Sequence, residues 1–348
     1  MDNANDFFAT LSSCLWGWPM IVLLLGTHIF LTIRLRFPQR KIFTAIRLSV
    51  QRDKSQKGDV SQFGALATAL AATIGTGNII GVATAVALGG PGAVFWCWLT
   101  GVFGISTKYS EALLAIKYRV KSESGRMQGG PMYTLERGLG WRKMGFLFAL
   151  FTAIAAFGIG CTVQANAIST IMHASYGIST ELSGSILMLL TAAVLIGGVR
   201  SISKVCSMLV PFMALLYVLG CVYILCGNAC YIVPAIRLIV HSAFSPEAAG
   251  DGFAGGSVMM AARYGIARGL FSNESGLGSA PIVAAAARTK NPVRQALVSS
   301  TGTFWDTVVI CALTGLVIVS SIIAYPDIDY SEGAELTKMA FSKIPVIG

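Results

Sequence analysis

The sequence predicts an all-α polytopic membrane protein in which two of the membrane-spanning helices are broken. Hydrophobic residues make up 54% of the 348 residues and charged residues only 12%, and the apolar residues form runs long enough to cross a bilayer. Two of these runs, 65–92 and 267–287, are interrupted near their centres by glycine and polar residues. Non-helical backbone survives in hydrocarbon only where protein, water or a ligand satisfies it, so each interruption indicates a binding site.

A length of about twenty residues per span divides the chain into eight predicted spans. They are 15–35, 62–88, 91–116, 145–172, 182–199, 205–227, 255–287 and 295–323. The first is expected to be retained, because the acidic start MDNANDFFAT lacks the cationic flank of a cleaved signal peptide. The segment 231–244 has helical apolar spacing beside Arg237 and His241, and we expect it to lie along the outer membrane interface.

The net charge of +10 lies mainly in the predicted loops, which favours a membrane orientation signal over nucleic-acid binding. The basic residues cluster in alternate loops: Arg34, Arg36, Arg40, Lys41, Arg47, Arg52, Lys54 and Lys57, then seven within 117–143, then Arg200 and Lys204, then Arg288, Lys290 and Arg294. The positive-inside rule places these loops in the cytoplasm and the N-terminus outside. The acidic segment 325–335 then lies outside a cell membrane.

Enzymatic chemistry is not expected of this chain. The eight cysteines form no CxxC pair, and His28, His173 and His241 are far apart in the sequence. No nucleophile, base or metal set converges in the pattern, so the cysteines are best explained as small packing residues. We expect no catalytic residue, no bound metal centre and no organic cofactor.

The first interruption reads Thr73-Ile-Gly-Thr-Gly-Asn-Ile-Ile-Gly81. It lacks the preceding strand and following acid of a dinucleotide fingerprint. Gly77 and Gly81 form a GxxxG pair, which close helix packing alone would explain. The functional alternative uses the helix dipoles: carbonyls of Thr73 and Ile74 would hold sodium, and the backbone of 75–78 with the Asn78 amide would hold a carboxylate.

The second interruption offers similar chemistry through Ser272, Asn273, Ser275 and Gly276. The loop charges predict that this span runs in the direction opposite to the first broken span and lies five spans later. Opposed broken helices at equivalent positions are typical of an inverted-repeat secondary transporter.

Ionisable residues inside spans are candidate functional groups. Glu274 either pairs with Arg268 or Arg263 or coordinates an ion, and the sequence leaves both open. Asp306 either serves sodium or ties two helices together.

Two further polar features of the spans have a simple structural interpretation. Lys108 and Glu111, at i and i+3, are explained as a same-face pair snorkelling from the inner end of the third span. Gln164 and Asn166 lie on roughly opposite faces of the fourth span. We expect one of them to face a pocket and the other a neighbouring helix, although polar amides of this kind are often only interhelical contacts.

Four motifs together are specific enough to name a resemblance. They are TIGTGNIIGVATAVALGGPGAVFWCW at 73–98, TKYSEALLAIKYR at 107–119, GGPMYTLERGLG at 129–140 and RGLFSNESGLGSAPIVAAAA at 268–287. With them the chain resembles the alanine/glycine:cation symporter family over nearly its whole length. The resemblance implies a LeuT-type fold of two inverted five-helix repeats preceded by one helix, with sodium as the coupling ion near Thr73. It also implies a set of substrate-binding residues: Thr76, Gly77, Asn78, Gln164, Ser272, Asn273 and Ser275.

Members of this family have eleven spans. The resemblance therefore implies that this sequence, which ends at Gly348, lacks the last three spans and that its second repeat is incomplete. The expected organisation is one transporter domain, 1–348, with a first repeat at 62–227 and a partial second repeat at 255–348. The expected function is sodium-coupled symport of alanine or glycine by alternating access. Proton coupling is the alternative, as is a truncated protein that binds a ligand or partner without transporting.

Overall fold

Nearly all of the described backbone is helical, as expected where apolar segments must satisfy their own hydrogen bonds. The computed structural model describes residues 6–7, 10–11, 14–51, 58–245, 258–325 and 336–342. In this part of the chain the only strand pair is an antiparallel hairpin of β1 (Val120–Lys121) and β2 (Met127–Gln128).

The described residues form a series of α-helices along the chain. In the first half they are α1 (Trp18–Arg34), α2 (Ile42–Val50), α3 (Gln62–Thr73), α4 (Val82–Gly89), α5 (Gly92–Lys117), α6 (Pro131–Leu139), α7 (Arg142–Ala155) and α8 (Val163–Tyr176). In the second half they are α9 (Thr180–Ile196), α10 (Gly198–Gly227), α11 (Ala229–Phe244), α12 (Val258–Asn273), α13 (Ala280–Ala285), α14 (Pro292–Thr303), α15 (Ala312–Ala324) and α16 (Leu336–Ser342).

Among the described residues, three π-helical segments interrupt or precede these helices. They are Gly77–Gly81 before α4, Ala156–Thr162 between α7 and α8, and Phe304–Cys311 between α14 and α15. The last two lie within continuous helices, Arg142–Tyr176 and Pro292–Ala324. Such segments occur frequently at functional sites, and two of the three carry residues that meet at the candidate site.

Side-chain caps explain where several helices begin. The Ser61 hydroxyl accepts a hydrogen bond of 2.9 Å from the Gly64 N–H at the start of α3. The side-chain Oδ1 atom of Asn291 accepts from the Val293 N–H at the start of α14, where Pro292 is the first helical residue. Each bond satisfies an N–H that the helix itself cannot pair.

The predicted spans correspond to these helices with one clear error. The predicted spans 145–172 and 295–323 lie inside the continuous helices, and 231–244 lies within α11. The predicted loop conformation of Arg200 and Lys204 is wrong, because both residues lie in the first two turns of α10. Their cytoplasmic position stays a prediction. Gly198, with φ of +64°, makes the turn from α9 within about two residues and leaves no loop.

Parts of the orientation argument fall outside the described residues. Arg52, Lys54 and Lys57 belong to 52–57, the first three residues of predicted span 255–287 belong to 246–257, and most of the acidic segment belongs to 326–335.

The surface of the described helices matches a membrane protein. Three helices are long and apolar enough to span a membrane, or up to five if each bent helix pair is one span. Large apolar side chains lie on the outside, with Phe157 78% and Ile196 88% exposed. An apolar surface of this extent marks contact with lipid or another protein. The count of eight spans stays a prediction.

Helix α5 lies at the centre of the structure and packs against α1, α12 and α14. Its contact with α12 is close because two glycines of α12 face it. A Cβ atom on Gly265 would lie 2.3 Å from the Ala93 carbonyl oxygen, and one on Gly269 would lie 2.9 Å from the Cys97 carbonyl oxygen. This pair, spaced as GxxxG, therefore sets the distance between the two helices.

Candidate functional site

The first predicted helix break is present. Helix α3 ends at Thr73, and Ile74 has extended backbone angles of −76° and 103°. The helix Gly77–Gly89 then continues at an angle of 50°. The side-chain Oδ1 atom of Asn78 caps the turn by accepting a 2.9 Å hydrogen bond from the Gly75 N–H. An asparagine three residues after a glycine thus stabilises the break locally.

The second predicted break is also present, between Asn273 and Ala280. Glu274, Gly276 and Gly278 have φ values of +52°, +94° and +82°, which prevent a continuous helix. The Gly276 and Gly278 N–H groups each donate to the same Glu111 carboxylate oxygen at 3.1 Å. The Ser279 hydroxyl donates to the Glu274 carboxylate.

The two breaks meet at a buried carboxylate. A Cβ atom on Gly77 would lie 3.5 Å from the Ser272 Cα. Asp306, which is fully buried, accepts from the Asn78 amide at 2.8 Å, from the Ser272 hydroxyl at 3.0 Å and from the Thr307 hydroxyl at 2.7 Å. Asp306 therefore joins both broken helices to the π segment Phe304–Cys311.

Asp306 has hydrogen-bond donors around it but no ionic partner within 4 Å among the described residues. The one ion pair within 4 Å in the described part of the chain joins Arg142 to Glu136 at 3.9 Å, on the protein surface and away from Asp306. A buried carboxylate without a directly paired charge is costly. Hydroxyl and carboxylate oxygens at one point form a set that suits a small hard cation.

Glu274 also lacks an ion pair among the described residues. Neither Arg268 nor Arg263 forms an ion pair with Glu274 within 4 Å in the described part of the chain. The Glu274 carboxylate is instead bonded to Ser279 within the second break. Of the two alternatives for Glu274, the ion pair is absent from this structure.

A cavity of about 710 Å³ lies beside the first break. Thr76, Gly77 and Phe271 line it, together with Asn166 of α8 and Arg268 of α12. Gln164 approaches its edge, since the Thr76 hydroxyl donates to the Gln164 carbonyl oxygen at 3.3 Å. The volume lies in the range of small-molecule sites. Thr76, Gly77 and Gln164 are thus the predicted residues that come together here.

The other predicted site residues lie deeper or on the far side of the second break. Ser275 is buried, and its hydroxyl lies 3.1 Å from that of Thr303. The side-chain Oδ1 atom of Asn273 accepts from the Ser275 N–H at 2.9 Å. The Gly276 N–H faces Glu111, as described above.

Three residues predicted at the first break are buried as well. Asn78 is 1% exposed, and its amide is engaged by Gly75 and Asp306. Thr73 and Ile74 are buried, and the Thr73 hydroxyl donates to the Leu70 carbonyl at 3.4 Å.

Lys108 and Glu111 were interpreted as a snorkelling pair, and this is wrong. Lys108 is only 4% exposed, and Glu111 binds the second break. The physical reason is that α5 packs against α12 and the residues after it, so this pair faces the protein interior. The sequence offered one signal for this contact. A charged i, i+3 pair inside a span can bind the exposed N–H groups of a glycine-rich break in another span.

Comparisons with known proteins support a transporter. The model of the sodium:alanine symporter family matches residues 1–347. The sodium/alanine symporter AgcS of Methanococcus maripaludis is 50% identical over 97% of this chain and 76% of its own length. An uncharacterized transporter of Haemophilus influenzae is 52% identical over 90% of this chain and 70% of its own length. A putative sodium/proton-dependent alanine carrier protein, YrbD of Bacillus subtilis, is 40% identical over 90% of this chain and 64% of its own length. The chain therefore belongs to the sodium:alanine symporter family, whose members are membrane transporters and not enzymes.

Proposed function

We propose that this protein carries alanine or glycine across the cell membrane together with sodium, by alternating access around its two broken helices. The observation that carries the proposal is the buried Asp306, which links Asn78 of the first break to Ser272 of the second beside a cavity of about 710 Å³. Membership of the family and the 50% identity to a sodium/alanine symporter support the choice of substrate and ion.

The cavity offers suitable groups for an amino acid. The helix Gly77–Gly89 begins at the cavity, and the positive end of its dipole favours the substrate carboxylate. The Thr76 hydroxyl and the Gln164 amide supply polar contacts at the same edge. We place the substrate here, against Thr76, Gly77 and Gln164. In this arrangement Asn273, Ser275 and Gly276 do not contact the substrate. Their hydrogen bonds stabilise the second break.

Sodium is assigned to Asp306. A cation there would accept oxygen ligands from the carboxylate and from the Ser272 and Thr307 hydroxyls, which now donate to that carboxylate. Binding would thereby fix both breaks in one arrangement, which couples the ion to the substrate site. A membrane potential of 100 mV contributes about 2.3 kcal/mol per sodium, and this supports roughly fortyfold accumulation.

The architecture we propose is a LeuT-type fold of inverted repeats, the first at 62–227 and the second beginning near 255, with the N-terminus outside. The two broken helices, five predicted spans apart and in contact at Gly77 and Ser272, support this arrangement. Transporters of this kind bind substrate at discontinuous helices near the membrane midplane.

The direct test is uptake of labelled alanine into proteoliposomes containing the 348-residue chain. An inward sodium gradient at equal pH on both sides should drive accumulation, and replacing sodium by choline should remove it. Accumulation driven by a pH gradient without a sodium gradient would instead assign the coupling to protons. Alanine binding without any gradient-driven uptake would favour a non-transporting binding protein.

Replacement of Asn78 by alanine should lower alanine affinity at subsaturating sodium about tenfold or more while leaving membrane insertion intact. The substitution removes the cap on Gly75 and one donor to Asp306, and a hydrogen bond to a charged group contributes about 1.5–3 kcal/mol. Equilibrium binding of labelled alanine to the purified variant measures the effect.

Asn228 provides the matched control for that experiment. It is also buried, and its amide donates to the Ser321 hydroxyl, away from both breaks. Asn228→Ala should therefore bind alanine as the wild type does. An unchanged alanine affinity in Asn78→Ala would show that Asn78 contributes only to packing and not to the binding site.

A further inference from the structure

A second cavity, of about 350 Å³, lies at the start of α10. It shares no lining residue with the cavity at the first break. Three parts of the chain form it: residues 59–61 before α3, the first turns of α10, and Arg288 after α13. The Arg288 N–H donates to the Val60 carbonyl at 2.7 Å. The cavity therefore lies where the chain enters the first broken helix and leaves the second.

The charged side chains around this cavity are mainly cations. Arg200, Lys204 and Arg288 line it, and none of the three forms an ion pair within 4 Å in the described part of the chain. A fourth cation, the Arg126 guanidinium, lies beside the start of α10, since a Cβ atom on Gly198 would be 3.8 Å from both of its Nη atoms. Like charges at i and i+4, such as Arg200 and Lys204, repel each other. An anion bound between them would offset that repulsion.

One carboxylate lines the cavity, and it is already engaged. Asp59 is 8% exposed, and its Oδ2 atom accepts from the Met127 N–H at 2.8 Å. It also interacts electrostatically with Arg119, which does not line the cavity. The Arg288 Nη2 atom donates to the backbone carbonyl of Asp59, at 3.3 Å, and not to its carboxylate. The lining therefore keeps an excess of positive charge.

Serine hydroxyls add uncharged donors to the same cavity. Ser203 and Ser207 line it from the face of α10 that carries Arg200 and Lys204, because the four residues are spaced i, i+3, i+4 and i+7. Ser203 is 6% exposed, and its hydroxyl has no hydrogen-bond partner among the residues that the structure describes. Guanidinium, ammonium and hydroxyl groups together form a donor set that suits the several oxygens of a phosphate group.

The start of α10 also attracts an anion. The helix has 30 residues, its first turn holds no acidic residue, and no side chain caps its first N–H groups. These N–H groups and the helix dipole give this end partial positive charge. Arg200 lies in that turn, where a cation is unfavourable unless an anion compensates for it.

We propose that the cavity lined by Arg200, Ser203, Lys204 and Arg288 binds a phosphate-bearing anion. An anionic phospholipid headgroup and free phosphate present the same charged oxygens to these donors. Basic pockets between helices at the cytoplasmic membrane boundary are typical of headgroup binding. The bound phosphate joins α10 to the segments before α3 and after α13, and it therefore stabilises the folded chain. This site goes beyond the proposed symport and does not depend on it.

The experiment is thermal unfolding of the purified protein in uncharged detergent. Mixed micelles with phosphatidylglycerol are compared with micelles containing the same amount of zwitterionic phosphatidylcholine. In a second arm, potassium phosphate is compared with potassium chloride at equal pH and ionic strength, so that sodium is absent. Two variants change the cavity. Arg200→Gln combined with Lys204→Gln removes two cations, and Ser203→Ala removes a donor while keeping the charge.

Phosphatidylglycerol, potassium phosphate or both should raise the Tm of the wild type by about 2 °C or more over the matched control. A rise with phosphatidylglycerol alone would identify the ligand as a lipid headgroup, and a rise with potassium phosphate would show that the phosphate group is sufficient. The cavity double variant should lose the rise. Ser203→Ala should need about tenfold more ligand for the same rise, because it lacks one hydrogen bond to a charged group.

Arg137→Gln combined with Lys143→Gln is the matched control variant. Both residues are exposed, are predicted on the same side of the membrane and lie outside the cavity lining. This variant removes the same charge and should respond to the anions as the wild type does. Absence of a rise in the wild type, an unchanged rise in the cavity double variant, or an equal loss in the two double variants would overturn the proposal. The basic residues would then serve only as a membrane orientation signal.

Discussion

Replacement of Asp306 by asparagine is expected to lower the sodium affinity of alanine uptake about a hundredfold or more. Asp306 is fully buried and is the point at which Asn78 and Ser272 meet. Removing one partner of a buried charge pair costs about 2–5 kcal/mol, and about 1.4 kcal/mol corresponds to a tenfold change. Asparagine keeps the size of the side chain, so the loss reports on charge.

The measurement is the sodium concentration that gives half-maximal alanine uptake in proteoliposomes. Glu136→Gln is the matched control, because it neutralises a carboxylate in an exposed ion pair with Arg142, and exposed pairs contribute little. The control should behave as the wild type. A half-maximal concentration within about twofold of wild type in Asp306→Asn would rule out the carboxylate as a sodium ligand.

Gly265→Ala should destabilise the folded protein by about 1–3 kcal/mol or more. The added Cβ would lie 2.3 Å from the Ala93 carbonyl oxygen and 2.8 Å from the Trp96 Cβ. Helices α5 and α12 would have to separate, which disturbs the centre of the structure and the second break that follows α12. We expect a lower Tm and less monodisperse protein on size-exclusion chromatography.

Gly184→Ala is the control for this substitution. Gly184 also lies within a helix, α9, but a Cβ there has no atom within 4 Å. Alanine should leave that helix unchanged or stabilise it by up to about 1 kcal/mol. Equal Tm values for the two variants would show that the contact of Gly265 with α5 is not close enough to matter.

Local signals in the sequence were sufficient to predict the positions of the two helix breaks. Glycine and asparagine at 75–78 and glycine at 276 and 278 interrupt runs that are otherwise apolar, and positive φ or an amide cap is a property of the residues themselves. Most helix bounds fell within a few residues of prediction for the same reason. The Arg200 and Lys204 error shows the limit, because basic residues mark a membrane boundary without distinguishing a loop from a helix end.

The residues that surround Asp306 and Lys108 could not be predicted from local sequence signals. Asp306 bonds to Asn78, which is 228 positions away in sequence, and Lys108 shares its cavity with Thr73 and Asn273. These contacts depend on how helices pack, which helical periodicity does not specify. The same holds for the glycines, since the GxxxG spacing of Gly77 and Gly81 was visible in the sequence, whereas the close contact of Gly265 and Gly269 with α5 depends on how the helices pack.

The π segment Phe304–Cys311 constrains the length of the chain as well as its composition. Its i to i+5 hydrogen bonds enclose one residue more per turn than an α-helix does. Deleting the extra residue would restore α-helical bonding, and α14 and α15 would keep nearly their present orientation because the wider turn takes up that residue. Ile318 and Val319, which are fully or almost fully buried, would keep their neighbours, whereas the wider turn that carries Asp306 would be lost. A one-residue deletion in this segment should therefore leave the packing of α15 intact and remove the arrangement of Asp306 with Asn78 and Ser272.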